Sequence, residues 1–196
     1  MEGQINLKQI YLISGKAQNG KDSTADIMMK YLDGKSIKIP FAKYLKIICK
    51  DYFNWSGEKD EIGREILQKT GTELIRDKLG WQNFHANRVY EDIKIAGEAY
   101  DYFFVPDTRR KNEIYYLQAM FPDKVTTIRV ERLGFKSPLT EEQLKHISET
   151  DLDNFKFDYY IKSESGLDNL EGEILRVIFG KENKDYEMRK YFREYC

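Results

Sequence analysis

Seven consecutive residues, Gly15-Lys16-Ala17-Gln18-Asn19-Gly20-Lys21, carry the clearest chemical signal in the sequence. They fit G-x-x-x-x-G-K, the pattern of a tight loop whose backbone N–H groups converge on phosphate oxygens. Residues 10–14, just before, form a short apolar run that reads as a buried strand. Residues 22–32, just after, read as a helix with Ala25, Ile27, Met28, Tyr31 and Leu32 on its apolar face. A helix N-terminus behind such a loop adds a positive dipole, which favours a bound anion. Lys21 then stands where an ammonium reaches the β- and γ-phosphates and balances the charge that grows during transfer. The pattern points to ATP with magnesium.

One position departs from the general form. Asp22 follows the lysine where Ser or Thr usually holds magnesium, and Ser23 comes next. One residue along a helix is a rotation of about 100°, so Ser23 is no direct replacement. Magnesium gives up water reluctantly, and Asp22, Ser23 and Asp107 are its candidate protein contacts. For Asp22, a role as a plain helix-start carboxylate stays open.

Asp107 ends the apolar segment Phe103-Phe104-Val105-Pro106. In open α/β sheets ligands bind beyond the carboxyl ends of the strands, so Asp107 reads as a group that orients magnesium or the acceptor. An N-cap for a helix starting near Arg109 is the plain alternative, and the two roles are not exclusive. Arg109 and Arg110 sit at that helix start, where cations oppose the helix dipole unless an anion is near. A phosphate monoester is such an anion, and it takes bidentate guanidinium bonds. Arg76 is a further candidate clamp, with a solvated helix face as the plain alternative. Arg129, Arg132, Lys136, Lys145 and His146 surround a proline-containing stretch that suits a mobile basic cover. Arg132 is its leading member, and Arg129 joins it on the ATP side.

These groups need a scaffold, and strands alternate with helices along the whole chain. Residues 36–40, 101–106, 124–130 and 157–161 read as further strands. Residues 41–53, 81–96, 109–120 and 166–179 read as helices, with 64–69 and a short helix near 73–78 separated by a break at Gly71. Parallel strands need crossovers. The expectation is an α/β three-layer fold of the P-loop NTPase kind, with a mostly parallel central sheet and a small lid. One domain is expected over 1–196, with an acceptor-binding insertion at about 41–98, the lid at about 132–150 and a charged tail at 181–196.

Composition narrows the partners. The 196 residues are 41% hydrophobic and 33% charged, which suits a globular chain. A net charge of -1 gives no general attraction to nucleic acid or to an acidic membrane. Cys49 and Cys196 make no disulfide framework, and His85 and His146 lack zinc spacing. No apolar run approaches the roughly 20 residues that span a bilayer. A cytoplasmic protein is expected, as a monomer or homodimer.

Taken together, the motifs resemble the deoxynucleoside monophosphate kinases of the kind phages encode, and more distantly the animal-type phosphomevalonate kinases. The resemblance runs over roughly residues 8–178. It rests on GKAQNGKDS at Gly15, FAKYLK at Phe41, Gly71-Thr72-Glu73 with Arg76 and Trp81, Asp107-Thr108-Arg109 with Asn112-Glu113, and His146-Ile147-Ser148-Glu149 with Leu152-Asp153. It implies ATP on the loop, a small-molecule nucleotide acceptor between the 41–81 region and Asp107–Arg109, and a lid around 132–146. Phe41, Lys46, Arg76, Trp81, Asp107 and Arg109 are the implied acceptor contacts. Lys43 replaces the acid expected in F-A-D-x-L-K. Phe41, Tyr44, Trp81 and Phe84 are candidates to stack on a base, although aromatics so spaced more often fill cores. The implied reaction phosphorylates a deoxynucleoside 5′-monophosphate. Phosphomevalonate or dephospho-coenzyme A as acceptor, or a regulatory nucleotide-binding module, are the alternatives.

Overall fold

The computed structural model describes residues 7–58, 60–137 and 139–180. The expected charged tail at 181–196 lies outside the described residues, as do residues 1–6 and Pro138. Five parallel strands form one sheet in the order β2-β3-β1-β4-β5. They are β1 (Gln9–Ser14), β2 (Ser36–Lys38), β3 (Tyr102–Thr108), β4 (Val125–Arg132) and β5 (Tyr159–Ser163). β1 lies at the centre, between β3 and β4.

Side chains alternate across a strand, and the sheet uses that alternation to fill two cores. Leu12 and Phe103 face one side, with Ala86, Val89 and Ile93 of α4 (Phe84–Ala96) and Ile114 and Leu117 of α5 (Lys111–Met120). Ile13 and Phe104 face the other, with Ala25 and Met28 of α1 (Lys21–Tyr31) and Leu170 and Ile174 of α8 (Leu167–Phe179). The expected three-layer α/β architecture is the one observed. Among the described residues no helix is long and apolar enough to cross a membrane.

Between β2 and α4 the chain builds α2 (Ala42–Tyr52), α3 (Glu61–Gln68) and a π-helix, Lys69–Lys78. The expected break at Gly71 is absent, because α3 runs straight into the π-helix. Gly71 serves packing instead. A Cβ there would meet Leu45 Cδ2 of α2 at 2.9 Å. The wider π-helical turn is rare and concentrates at functional sites. After β4 come two short helices, α6 (Glu141–Lys145) and α7 (Ile147–Thr150).

Candidate active site

The glycine-rich loop leaves the carboxyl end of β1 and opens α1. Gly15 has φ +157°, Gly20 has φ +88°, and Gln18 also lies at positive φ, which turns the backbone tightly around the loop. A Cβ on Gly15 would come within 2.5 Å of the Val130 carbonyl oxygen of β4, so only glycine fits there. Asn19 Nδ2 donates to the same carbonyl, at 3.4 Å. Lys21 is 8% exposed, and its Nζ donates to the carbonyls of Gly15 and Lys16, both at 2.9 Å. Burial, reinforced by the nearby Arg109 charge, pushes its amine down to about 8. Lys21 thus sits in a field that an anion would relieve. In the first turn of α1, Asp22 is exposed and Ser23 is half-buried, and the buried Thr24 hydroxyl donates to Gly20 O at 2.9 Å.

Strand register sets what stands beside this loop. Ser14 of β1 pairs with Thr108 of β3 and with Arg129 of β4. Gly15 and Arg109 therefore leave adjacent parallel strands at the same level. The expected role of Asp107 as a cap for the helix near Arg109 is corrected here. Its carboxylate accepts from Phe41 N at 2.8 Å and Ala42 N at 3.0 Å, so it caps α2. Burial raises its carboxyl, against the pull of those N–H groups, Arg109 and Lys46. The start of α5 is served by Glu113, which reaches back to Arg109 N and Arg110 N at 2.9 and 3.0 Å, and by Asp151, which accepts from Lys111 N.

The anions expected near the two arginines are present as protein carboxylates. Arg109 pairs with Glu149 and donates to the Ser148 carbonyl, and Arg110 Nε lies 3.3 Å from Asp151. Lys16 Nζ donates to the Glu149 carbonyl and to Asp153 Oδ1. The segment 147–153 thus lies across the phosphate-binding loop. Glu149 and Asp153 entered the sequence reading only as part of a resemblance; no local spacing ties them to Lys16 or Arg109.

Several expected contacts sit differently. Arg76 is not on a solvated face but 4% exposed. It donates to Gln82 O, Asn112 Oδ1 and Glu113 Oε1. Phe41 is 3% exposed in the core, which removes its ring as a base platform; it meets the site through its backbone N–H. Arg129 and Arg132 belong to strand β4, not to a cover. Arg129 reaches Ser14 Oγ and Asp153, while Arg132 is held by Ser165 over the Phe135 ring. Trp81 is 55% exposed and stacks on Phe84, and Arg88 lies over both Phe84 and Tyr44. Lys43 pairs with Asp92 on α4. Lys46 is half-buried on α2, within the field of Asp107. Among the described residues no group of three or more His, Cys, Asp or Glu side chains is arranged to hold a metal ion.

A strand, a glycine-rich loop and a helix in succession at the carboxyl edge of an all-parallel sheet form the P-loop arrangement. In sequence the chain is similar to deoxynucleotide monophosphate kinases of phages. It is 29% identical to the deoxynucleotide monophosphate kinase of Enterobacteria phage T4 over 187 residues, covering 90% of this chain and 70% of that one. It is 30% identical to the enzyme of the same name from Escherichia phage RB69 over 118 residues, covering 59% of this chain and 44% of that one. No protein-family model matches the chain. Among solved structures, dephospho-CoA kinase from Campylobacter jejuni superposes with a TM-score of 0.47 at 18% identity, over 85% of this chain and 94% of that one.

Proposed function

We propose that this protein transfers the γ-phosphoryl group of ATP to the 5′-phosphate of a deoxynucleoside monophosphate, yielding ADP and the deoxynucleoside diphosphate. The observation that carries the reading is the register of β1 with β3, which sets Gly15 of the donor loop abreast of Arg109. A triphosphate cradled by residues 15–23 then presents its γ-phosphate toward a guanidinium that grips the acceptor's phosphate bidentately. The acceptor's phosphate oxygen attacks the γ-phosphorus in line, the bond to the β–γ bridging oxygen breaks, and ADP leaves with that electron pair. The attacking oxygen is already ionised, so no general base is needed; positioning and charge neutralisation dominate.

In this reading Lys21 turns from the loop carbonyls to the phosphates, and Lys16, Arg129 and Arg132 add positive charge on the ATP side. Asp22 and Ser23, in the first turn of α1, fit magnesium through its waters. Each oxygen of Asp107 accepts one α2 N–H group, and its remaining lone pairs would let it help to hold magnesium. Magnesium, when bound, would offset the phosphate charge that grows during transfer. The exposed Trp81, stacked on the half-buried Phe84, supplies a stacking face for the acceptor's base. We place these parts in one cytoplasmic kinase domain, monomeric or homodimeric, with the acceptor insertion at about 41–98 and the lid at about 132–150. The test is coupled ADP release with ATP, magnesium and each of the four deoxynucleoside 5′-monophosphates. Turnover with at least one of them, and none with the matching deoxynucleosides, is expected; equal turnover without any 5′-phosphate acceptor would sink the reading.

A further inference from the structure

Asn112 and Glu113 follow Arg109 in the sequence, yet the reaction as drawn uses neither. Glu113 is 3% exposed, and both of its oxygens are committed. Oε1 accepts from Arg76 Nη2 at 2.7 Å, while Oε2 accepts from the backbone N–H groups of Arg109 at 2.9 Å and Arg110 at 3.0 Å. Asn112 takes the other side of the junction. Its Oδ1 accepts from Arg76 Nη1 at 3.3 Å, and its Nδ2 donates to Gln82 O at 2.8 Å and Asn83 Oδ1 at 3.0 Å. Arg76 itself donates to Gln82 O at 2.9 Å. The π-helix, the Trp81–Asn83 turn and the backbone of Arg109 are therefore pinned to one buried junction.

A buried ion pair adds little net stability over an apolar pair, because desolvation offsets the attraction. This pair has a geometric consequence instead: it holds the Arg109 backbone at a set distance from the turn that carries Trp81. We propose that Glu113 is a positioning residue for the acceptor's phosphate, with Arg76 as its buried counter-ion rather than a direct phosphate clamp. The junction sets the span between the guanidinium that takes a 5′-phosphate and the aromatic face that takes a base. That span selects a nucleoside monophosphate over a free phosphate or a free nucleoside. The inference rests on the proposed phosphoryl transfer for its ligand, and its test is built to fail separately.

The measurement is calorimetric binding of each deoxynucleoside 5′-monophosphate and of its parent deoxynucleoside, without ATP. The difference between the two affinities is the phosphate's contribution. Wild type, Glu113→Gln and the double variant Arg76→Met/Glu113→Gln are compared, each with its melting temperature. Glu113→Gln is expected to melt lower, because Arg76 is left as an uncompensated buried charge. It should also lose about tenfold of the phosphate's contribution. The double variant should regain most of the melting temperature and none of the lost affinity. Were the affinity to return together with the melting temperature, or never to fall in Glu113→Gln, Glu113 would be structural only and the inference overturned. Absence of any phosphate contribution in wild type overturns it as well. If wild type binds with the expected contribution and Glu113→Gln loses it, but no monophosphate is phosphorylated, the positioning role stands and the proposed reaction fails.

Discussion

Nζ of Lys16, the second residue of the phosphate-binding loop, lies 2.6 Å from Oδ1 of Asp153, a residue 137 positions further along the chain. Arg129 Nη2 reaches the same oxygen at 3.3 Å. One carboxylate thus draws on two cations that a triphosphate would also attract. Lys16 and Asp153 are 30% and 40% exposed, so solvent screens the pair to about 0.4–1 kcal/mol. Asp153→Asn should accordingly tighten ATP binding by about two- to fivefold at low salt. The gain should fade toward 1 M salt, where the Debye length is about 3 Å. Calorimetry with ATP at two ionic strengths checks this; weaker binding in the variant would show that Asp153 supports the nucleotide rather than competing with it.

Lys21→Ala should lower kcat by about 10²–10³, the usual cost of losing one preorganised contact to transition-state charge. The fold should survive. Lys21 also gives a pH signature in nucleotide-free protein. Its folded value, about 8, lies below its ordinary 10.5, so the unfolded chain binds more protons between those values. The burial cost of its charge is therefore full below about pH 8 and relieved as pH rises toward 10.5. Lys21→Met should melt higher than wild type at pH 7, with the gap closing at pH 10. A gap independent of pH would count against a buried, depressed ammonium.

Asp107→Asn tests two roles at once. An amide offers one oxygen where Asp107 uses two, so one of the Phe41 and Ala42 N–H groups loses its partner. Loss of that bond should cost about 1–2 kcal/mol, a fall of roughly 3–6 °C in Tm for a chain of this size. If Asp107 also orders magnesium or the acceptor, kcat falls at least about tenfold in fully folded protein while the KM for ATP stays nearly constant. Full activity at a temperature where the variant is folded would leave Asp107 as the cap of α2 alone.

Arg109→Lys keeps the charge and loses the planar fork that grips phosphate at two points. The acceptor's KM, or its kcat/KM, should suffer more than the KM for ATP. Arg109→Ala should go further in the same direction. Steady-state kinetics with each substrate varied in turn separates the two. Wild-type acceptor kinetics in both variants, or a loss confined to ATP, would reverse the orientation assigned to the site.

His85 supplies an acid-side prediction. Burial, with help from the Arg76 charge, pushes its imidazole down to about 4, and Nδ1 is buried without a hydrogen-bond partner. Between about pH 4 and 6.5 the unfolded chain therefore binds the extra proton. The associated stability is present above pH 6.5 and is lost as pH falls toward 4. His85→Gln should lose less stability than wild type between pH 7 and 4.5 in urea melts. Parallel losses in the two proteins would mean that His85 does not titrate in that window.

Much of the architecture was legible along the chain, because short-range physics writes it there. Strands and helices each leave a period in the apolar residues, and the loop at Gly15 is a contiguous motif whose φ values demand glycine. The helix over 166–179 and the strands on either side of the loop follow from the same patterns. At one point the sequence misled: Gly71 read as a break, yet it lies inside the π-helix with the Leu45 side chain of α2 packed against it.

What the sequence by itself determined is a set of candidate groups: a glycine-rich loop, Lys21 behind it, and Asp107 and Arg109 at the end of a buried strand. Their types and offsets are local, and local spacing is enough to state them. Only the tertiary structure decided which group faces which. Asp107 caps α2, Arg76 answers Glu113, and Glu149 and Asp153 come to Arg109 and Lys16 from 40 and 137 residues away. Carboxylates and guanidiniums are alike in any sequence window, and their partners are fixed by strand order and by burial. Burial leaves a charge stable only where the fold delivers its counter-ion, and that delivery is a property of the packed chain.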